Sequence, residues 1–190
     1  MKKLLIGLLA MLCMHSTFAQ APLEIKYSKL DASPADILYF PLRAPNVNID
    51  DNSTPKIKIV YSRPQKKERE VFGVMQKFDV VWRLGANENT EIKFYQPVEI
   101  NGKTVEAGTY SFFAIPNPTK WTLILNKRID RWGAFTYDSK LDYLRTDVPV
   151  QNLDNPVEAL SMTFTESPEG ANLYIAWDKT QVMLPIKVKK

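Results

Sequence analysis

The chain has 190 residues, of which 45% are hydrophobic and 24% are charged, a composition typical of a globular protein rather than a disordered or fibrous one. The formal net charge is only +4, and the chain has one cysteine and one histidine, Cys13 and His15. Both lie in the first 19 residues, so the rest of the chain cannot form a disulfide, a histidine-dependent triad or a His/Cys zinc site. We therefore expect no cofactor and no metal site, and we assign no catalytic residue.

Residues 1–19 have the pattern of a secretory signal peptide. Lys2 and Lys3 precede an apolar run over 4–14, and Thr17 and Ala19 place small residues three and one positions before a cut. Cleavage after Ala19 leaves 171 residues with a formal charge of +2, because two lysines are removed. No later stretch is apolar enough to cross a bilayer. We expect a periplasmic or secreted protein with no transmembrane segment after signal removal.

Residues 20–55 are rich in proline and aspartate. We expect them to form an irregular lead-in that packs on the domain, and a helical turn could follow Pro34. The domain itself is predicted to span 56–190. Within it, the mixed charges of 66–70 indicate a solvated loop, so we expect no nucleic-acid partner.

Strand-like alternation of apolar and polar residues dominates from residue 56 onwards. Asn101-Gly102 predicts a two-residue hairpin turn, since both residues tolerate positive φ. Residues 109–115 are apolar on both faces and predict a central strand covered on both sides, whereas Pro185 indicates an edge or a bulge. A turn is predicted at Asp178-Lys179. Strands are predicted around 57–61, 92–94, 98–100, 109–115, 121–126, 160–164, 173–177 and 182–188.

Short strands with Gly and Pro turns favour an all-β fold, and we predict a single antiparallel β-sandwich of jelly-roll type with about 8–11 strands. Two stretches, 63–90 and 127–156, do not fit the strand pattern and are predicted to be long loops. Loops on a rigid sheet are where binding residues usually lie. Both stretches are therefore candidate sites.

The first candidate group lies in 81–90. Arg83 offers a planar fork of donors for an anion, and Trp82 offers a flat face for a sugar ring. Hydrogen bonds could come from Asn87, Glu88 and Asn89. Arg63 is a further candidate cation, since the following proline holds it in an extended backbone. In the alternative interpretation Arg83 pairs internally with a carboxylate, Asn87 caps a turn and Arg63 makes a salt bridge at a strand end.

The second candidate group lies in 127–156. Trp132, Tyr137 and Asp138 combine aromatic rings with a carboxylate and could form a stacking platform with an acid beside it. In the alternative interpretation these aromatic side chains close one end of the sandwich.

Several strings of the chain resemble the bacterial family known as domain of unknown function 2911. They include Ser62-Arg63-Pro64, residues 81–91 and 107–116, Trp132-Gly133-Ala134 and Ala176-Trp177-Asp178. The resemblance implies a secreted all-β domain and assigns no activity. It maps recurrent polar positions of the family onto Arg63, Arg83, Asn87 and Asp138. One departure is Glu68, where the family often has glycine.

Three functions remain open. The first is a non-catalytic periplasmic or secreted binding module for a glycan or a small anionic ligand, in which Arg63 and Arg83 act together. The second is a structural or protein-interaction domain of the cell envelope, with an envelope protein as partner. The third is a hydrolase that uses carboxylates such as Glu88 and Asp138, which requires two acids close together in one pocket.

Overall fold

The computed structural model of the chain describes residues 23–44 and 55–188, and the predicted signal peptide lies outside them. The strands run in one open sheet in the order β1-β2-β3-β6-β7-β8-β9-β4-β5, with every neighbouring pair antiparallel. The predicted all-β, antiparallel fold is confirmed. The strands are β1 Ala35–Phe40, β2 Ile57–Ser62, β3 Glu91–Phe94, β4 Val98–Ile100, β5 Lys103–Val105, β6 Gly108–Pro116, β7 Lys120–Asn126, β8 Asp142–Ser167 and β9 Gly170–Val188.

The long strand β8 folds the sheet into two facing layers. Its first part pairs with β7 and its second part pairs with β9, so it belongs to both layers. The layers meet where the ring of Phe40 lies 5.6 Å from that of Phe164, and where Met162 N donates to Tyr61 Oη at 3.0 Å. The core between them contains Ile57, Ile59, Ile92, Phe94, Phe112, Leu160, Leu173 and Ile175, all buried.

The hairpin and the central strand agree with the sequence prediction. Asn101 and Gly102 have φ of 49° and 75° and join β4 to β5 directly. In β6, the residues from Tyr110 to Ala114 are all buried, because the core covers one face and the segment after β7 covers the other. On that second face the rings of Phe113 and Tyr137 are 5.3 Å apart.

Strand β1 lies in the stretch that we expected to be irregular. No helical turn follows Pro34, because the chain enters β1 at Ala35 and pairs with β2 along the whole strand. The sequence of β1 does not alternate between apolar and polar residues, so its strand conformation comes from the backbone hydrogen bonds to β2.

Two further boundaries differ from the sequence prediction. Strand β8 begins at Asp142, inside the predicted loop 127–156, and buries Leu144 and Val148. Strand β9 is continuous through Asp178, where a turn was predicted. Asp178 has a φ of 53°, and the register with β8 shifts beside it, so the strand bulges there instead of turning.

Candidate functional site

The two candidate loops lie side by side at one end of the sheet. Backbone hydrogen bonds of 2.7 and 2.9 Å between Trp82 and Ala114 hold the first candidate loop, 63–90, against β6. Glu88 and Trp132 then form an isolated antiparallel bridge, and Gly133 N donates to the carbonyl of Asn87 at 2.9 Å. The loops that the sequence singled out separately therefore form one paired structure.

The buried amide of Asn89 fixes this pairing. Its backbone N–H donates to the carbonyl of Arg131, and its side-chain oxygen accepts from Arg131 N, each at 3.0 Å. Its side-chain nitrogen donates to Ser111 Oγ on β6 at 2.6 Å. The sequence suggested Asn89 as a hydrogen-bonding group of a polar ligand site, but nothing in the sequence marks a polar residue before a strand as buried.

Arg83 lines an open groove of about 390 Å³ on one side of the paired loops. Its Nε donates to the carbonyl of Gly85 at 3.3 Å, and among residues 23–44 and 55–188 no carboxylate lies within 4.0 Å of it. Desolvation by burial lowers the pKa of the guanidinium. The predicted internal pairing of Arg83 with a carboxylate is thus not found in the described part of the chain.

The walls of this groove are largely apolar. Met75 and Phe135 line it, and Phe135 is 82% exposed. Trp82 also lines it but is only 5% exposed, since its ring stacks on Trp177 with the centroids 5.8 Å apart. The indole of Trp82 donates to the carbonyl of Gly85 at 3.1 Å. Trp82 is therefore a wall of the groove and offers no open face to a sugar.

Arg63 contacts different residues from Arg83 and lies outside the groove that Arg83 lines. Its guanidinium donates to Asp36 Oδ2 at 3.1 Å, to the carbonyl of Leu160 at 3.1 Å and to Ser161 Oγ at 2.8 Å. These bonds tie β2 to β1 and to β8, and Arg63 does not line the groove of Arg83. The salt bridge at a strand end is the interpretation that fits Arg63, and the idea of two arginines acting together loses its support.

Glu88 and Trp132 line a second cavity, of about 420 Å³, on the other side of the paired loops. Trp132 is 59% exposed and Glu88 is exposed. Asp138 does not line this cavity. It caps the 3₁₀ helix Ser139–Leu141 by accepting from Lys140 N at 3.0 Å. The structure therefore does not bring Glu88 and Asp138, the two carboxylates named for the hydrolase hypothesis, together in this cavity.

Tyr137 is engaged in a polar network beside the loops. Its hydroxyl donates to Asp142 Oδ2 at 2.7 Å and accepts from Arg145 at 2.6 Å. Burial, followed by the hydrogen bond to Asp142, raises its pKa to about 12. Asn87 has a φ of 58°, and its carbonyl accepts the bond from Gly133. The hydrogen bonds of Tyr137 and Asn87 therefore stabilise the conformation of the loops.

Across the described ranges 23–44 and 55–188, no group of three or more His, Cys, Asp or Glu side chains is arranged to hold a metal ion. Within the same ranges, no helix has the length and apolar character needed to span a bilayer.

The fold and the paired loops define an open, antiparallel all-β domain with loop-lined cavities at one end. The family model described as "Protein of unknown function (DUF2911)" matches residues 44–186. The chain belongs to this family, as the resemblance in its strings predicted. Searches of curated proteins and of solved structures found no match.

Proposed function

We propose that this domain is a non-catalytic binding module for a small anion with an apolar body, and that Arg83 holds the anionic group. The observation that carries the proposal is the guanidinium of Arg83, which is half-buried and has no acidic partner in the described residues. A partly desolvated cation without a counter-charge is unfavourable, and a bound anion would compensate for the lost hydration. The fork geometry suits a carboxylate or a phosphate.

The walls of the groove favour an amphipathic anion over a glycan. Phe135 and Met75 present apolar surface to the groove. Trp82 is buried, so it offers no exposed indole face on which a sugar could stack. Pockets that bind small molecules are typically apolar with a few fixed polar groups. An aromatic or aliphatic carboxylate matches this combination.

Backbone strain next to Arg83 also supports a site. Leu84 is fully buried yet has a φ of 55°, and Thr90 Oγ1 holds its carbonyl at 2.8 Å. A left-handed conformation costs a non-glycine residue about 1–2 kcal/mol. Such strained residues cluster at functional sites.

A thermal-shift panel with benzoate, hexanoate, inorganic phosphate and a neutral disaccharide tests the proposal. A ligand at one hundred times its Kd adds about 2.7 kcal/mol, or about 5–10 °C in Tm for a domain of this size. We expect a shift with the apolar carboxylates that Arg83→Ala abolishes and Arg83→Lys weakens. Arg131→Ala is the matched control, because Arg131 is an exposed arginine that lines the other cavity. No shift with any anion, or an equal loss in both alanine variants, overturns the proposal.

We also propose that the protein is exported and acts in the periplasm or outside the cell. The support is the charged, apolar and small-residue pattern of residues 1–19. Mass spectrometry of the protein recovered from its native cells tests this. A mature chain that begins at Gln20 supports export, and an intact N-terminus in the cytoplasmic fraction contradicts it.

One observation favours the second candidate, a structural or protein-interaction domain. Leu23, Ile25, Tyr27 and Leu30 are all strongly exposed and precede the edge strand β1. Apolar residues exposed together in this way are typical of a contact surface. If this function holds, deleting residues 20–33 will change the oligomeric state or the capture of an envelope protein, and the anion panel will give no shift.

A further inference from the structure

The cavity beside Trp132 is built on the outer face of β2 and β3. Ala35 pairs with Ser62, and Val60 pairs with Glu91, so these four side chains share one face of the sheet. That face is the one opposite the core, because the intervening residues of β2 point into the core.

The segment after β7 closes this face into a cavity. Asp130 N donates to Glu91 Oε1 at 3.2 Å, and Arg131 N donates to Asn89 Oδ1 at 3.0 Å. The segment thus arches over the strands and encloses about 420 Å³ together with Trp132. One of these two hydrogen bonds is accepted by the carboxylate of Glu91 and the other by the buried amide of Asn89, so both strand β3 and the loop before it hold the segment in place.

The lining of this cavity carries an excess of negative charge. Glu88, Glu91 and Asp130 supply three carboxylates, and among the described lining residues Arg131 supplies the one positive charge. Within the described residues, no lysine or arginine nitrogen lies within 4.0 Å of any of the three carboxylates. The unpaired carboxylates create a field that favours a cation.

Trp132 adds an aromatic surface to this field. It is 59% exposed, and in the described part of the chain its ring packs against no other aromatic ring. An organic cation over an indole face gains from the ring quadrupole as well as from nearby carboxylates.

Ser62 supplies an independent sign that a ligand belongs here. It lines the cavity and is only 8% exposed, yet its hydroxyl makes no hydrogen bond with any residue in 23–44 or 55–188. A buried hydroxyl without a partner costs free energy, and polar groups of this kind are normally satisfied. A ligand with a donor or acceptor would satisfy it.

We propose that this cavity binds a small organic ammonium ion, with the cation over Trp132 and beside the carboxylates of Glu88 and Asp130. This goes beyond the anion site at Arg83, since it assigns a different cavity and the opposite charge. A neutral sugar would also stack on Trp132 but would leave the negative charge uncompensated. It is therefore the competing outcome of the test.

The test compares choline with dimethylbutanol, in which a carbon atom replaces the ammonium nitrogen, and with a neutral disaccharide. Calorimetric titration measures binding to the full mature chain. Acrylamide quenching of fluorescence gives a second readout, because Trp82, Trp121 and Trp177 are buried and the exposed indole is that of Trp132. We expect choline to bind and to protect Trp132, and dimethylbutanol to bind at least about tenfold more weakly.

Variants locate the site and separate it from the anion groove. We expect Trp132→Ala to weaken choline about tenfold or more, and Glu88→Gln and Asp130→Asn to weaken it about threefold to tenfold each. Glu166→Gln is the matched control, since Glu166 is an exposed glutamate on β8 away from the cavity. Arg83→Ala should leave choline binding unchanged, so this proposal can fail or succeed without the proposed function.

Three results overturn the proposal. Equal binding of choline and dimethylbutanol would show that charge plays no part. Binding of the disaccharide but not of choline would show a sugar site on Trp132. An unchanged choline affinity in Trp132→Ala or in both carboxylate variants would place any binding elsewhere.

Discussion

Nη1 of Arg83 lies against the α-carbon of Gly133, so closely that a methyl group on Gly133 would be 3.0 Å from that nitrogen. The bridge between Glu88 and Trp132 brings these residues of two different loops together. Gly133 has a φ of 65°, which favours glycine. The position of the candidate anion-binding side chain therefore depends on the absence of a side chain in the neighbouring loop.

Gly133→Ala should both destabilise the fold and displace Arg83. The added methyl group would lie 2.8 Å from Phe135 Cε2 as well as 3.0 Å from Arg83 Nη1, and the positive φ alone costs about 1–2 kcal/mol. Urea unfolding measures the loss. Gly102→Ala is the control, since Gly102 has a φ of 75° but nothing within 4 Å of the added methyl. If both variants lose the same free energy of unfolding, the contacts of the added methyl group with Phe135 and Arg83 do not contribute to the loss.

Glu68→Gly should stabilise the protein by up to about 1 kcal/mol. Glu68 is exposed and has a φ of 60°, a conformation that glycine adopts without the steric cost of a side chain, although glycine also raises the entropy of the unfolded chain. The glutamate thus adopts this positive φ without a glycine at the position. The urea midpoint is the measurement. Glu70→Gly, at a neighbouring exposed residue without positive φ, should destabilise instead, and a gain in both variants would contradict this account.

Tyr61→Phe should cost about 1–3 kcal/mol, because it leaves the buried N–H of Met162 without its acceptor. This hydrogen bond joins β2 to β8 and so links the two layers. The free energy of unfolding is again the readout. Tyr39→Phe serves for comparison, since Tyr39 lies on the adjacent strand and its hydroxyl has no hydrogen-bond partner in the described residues. A loss of similar size in both variants would argue against a specific bond.

Tyr137 should make stability depend on pH in the alkaline range. Its pKa is raised to about 12 in the folded protein, chiefly by burial and then by the hydrogen bond to Asp142, against about 10 when unfolded. The folded state therefore favours the neutral phenol. This stabilisation is complete below pH of about 10 and is lost as the pH rises towards about 12.

Comparison of the wild-type chain with Tyr137→Phe isolates this effect. The pKa values of Tyr61 and Tyr110 are also raised, mainly by burial, and they contribute in the same direction in both proteins. We expect the stability difference between the two proteins to shrink between pH of about 10 and about 12. A constant difference across this range, or a tyrosinate absorbance that titrates fully near pH 10, would refute the assignment.

Much of the fold was accessible from local patterns. The hairpin at Asn101-Gly102 follows from the φ that these two residue types tolerate, and the burial of β6 follows from its apolar residues on both faces. Strand β1 was missed because its sequence does not alternate, and its conformation depends on pairing with β2. The bulge at Asp178 cannot be distinguished from a turn in the sequence, because both features can contain a residue with a positive φ.

The candidate site was only partly predictable. From the sequence alone, Arg63 and Arg83 are equivalent candidates for an anion-binding residue, since each is an arginine in a loop near a strand end. Their difference lies in partners that are distant along the chain. Arg63 meets Ser161, 98 residues away, whereas no acidic side chain among the described residues reaches Arg83. The burial of Ser62 and Asn89 could not be predicted from the sequence, because it depends on loops that fold over them.

The amino-acid sequence by itself determined the strand-rich class, the central strand and the hairpin, because alternation and turn chemistry act over a few neighbouring residues. It also excluded disulfides and His/Cys chemistry after residue 19, since the residue types are missing. Only the tertiary structure decided which of Arg63 and Arg83 has no acidic partner among the described residues, and which indole faces solvent. Those properties arise from the pairing of two loops that lie some forty residues apart, and they depend on contacts that no local pattern contains.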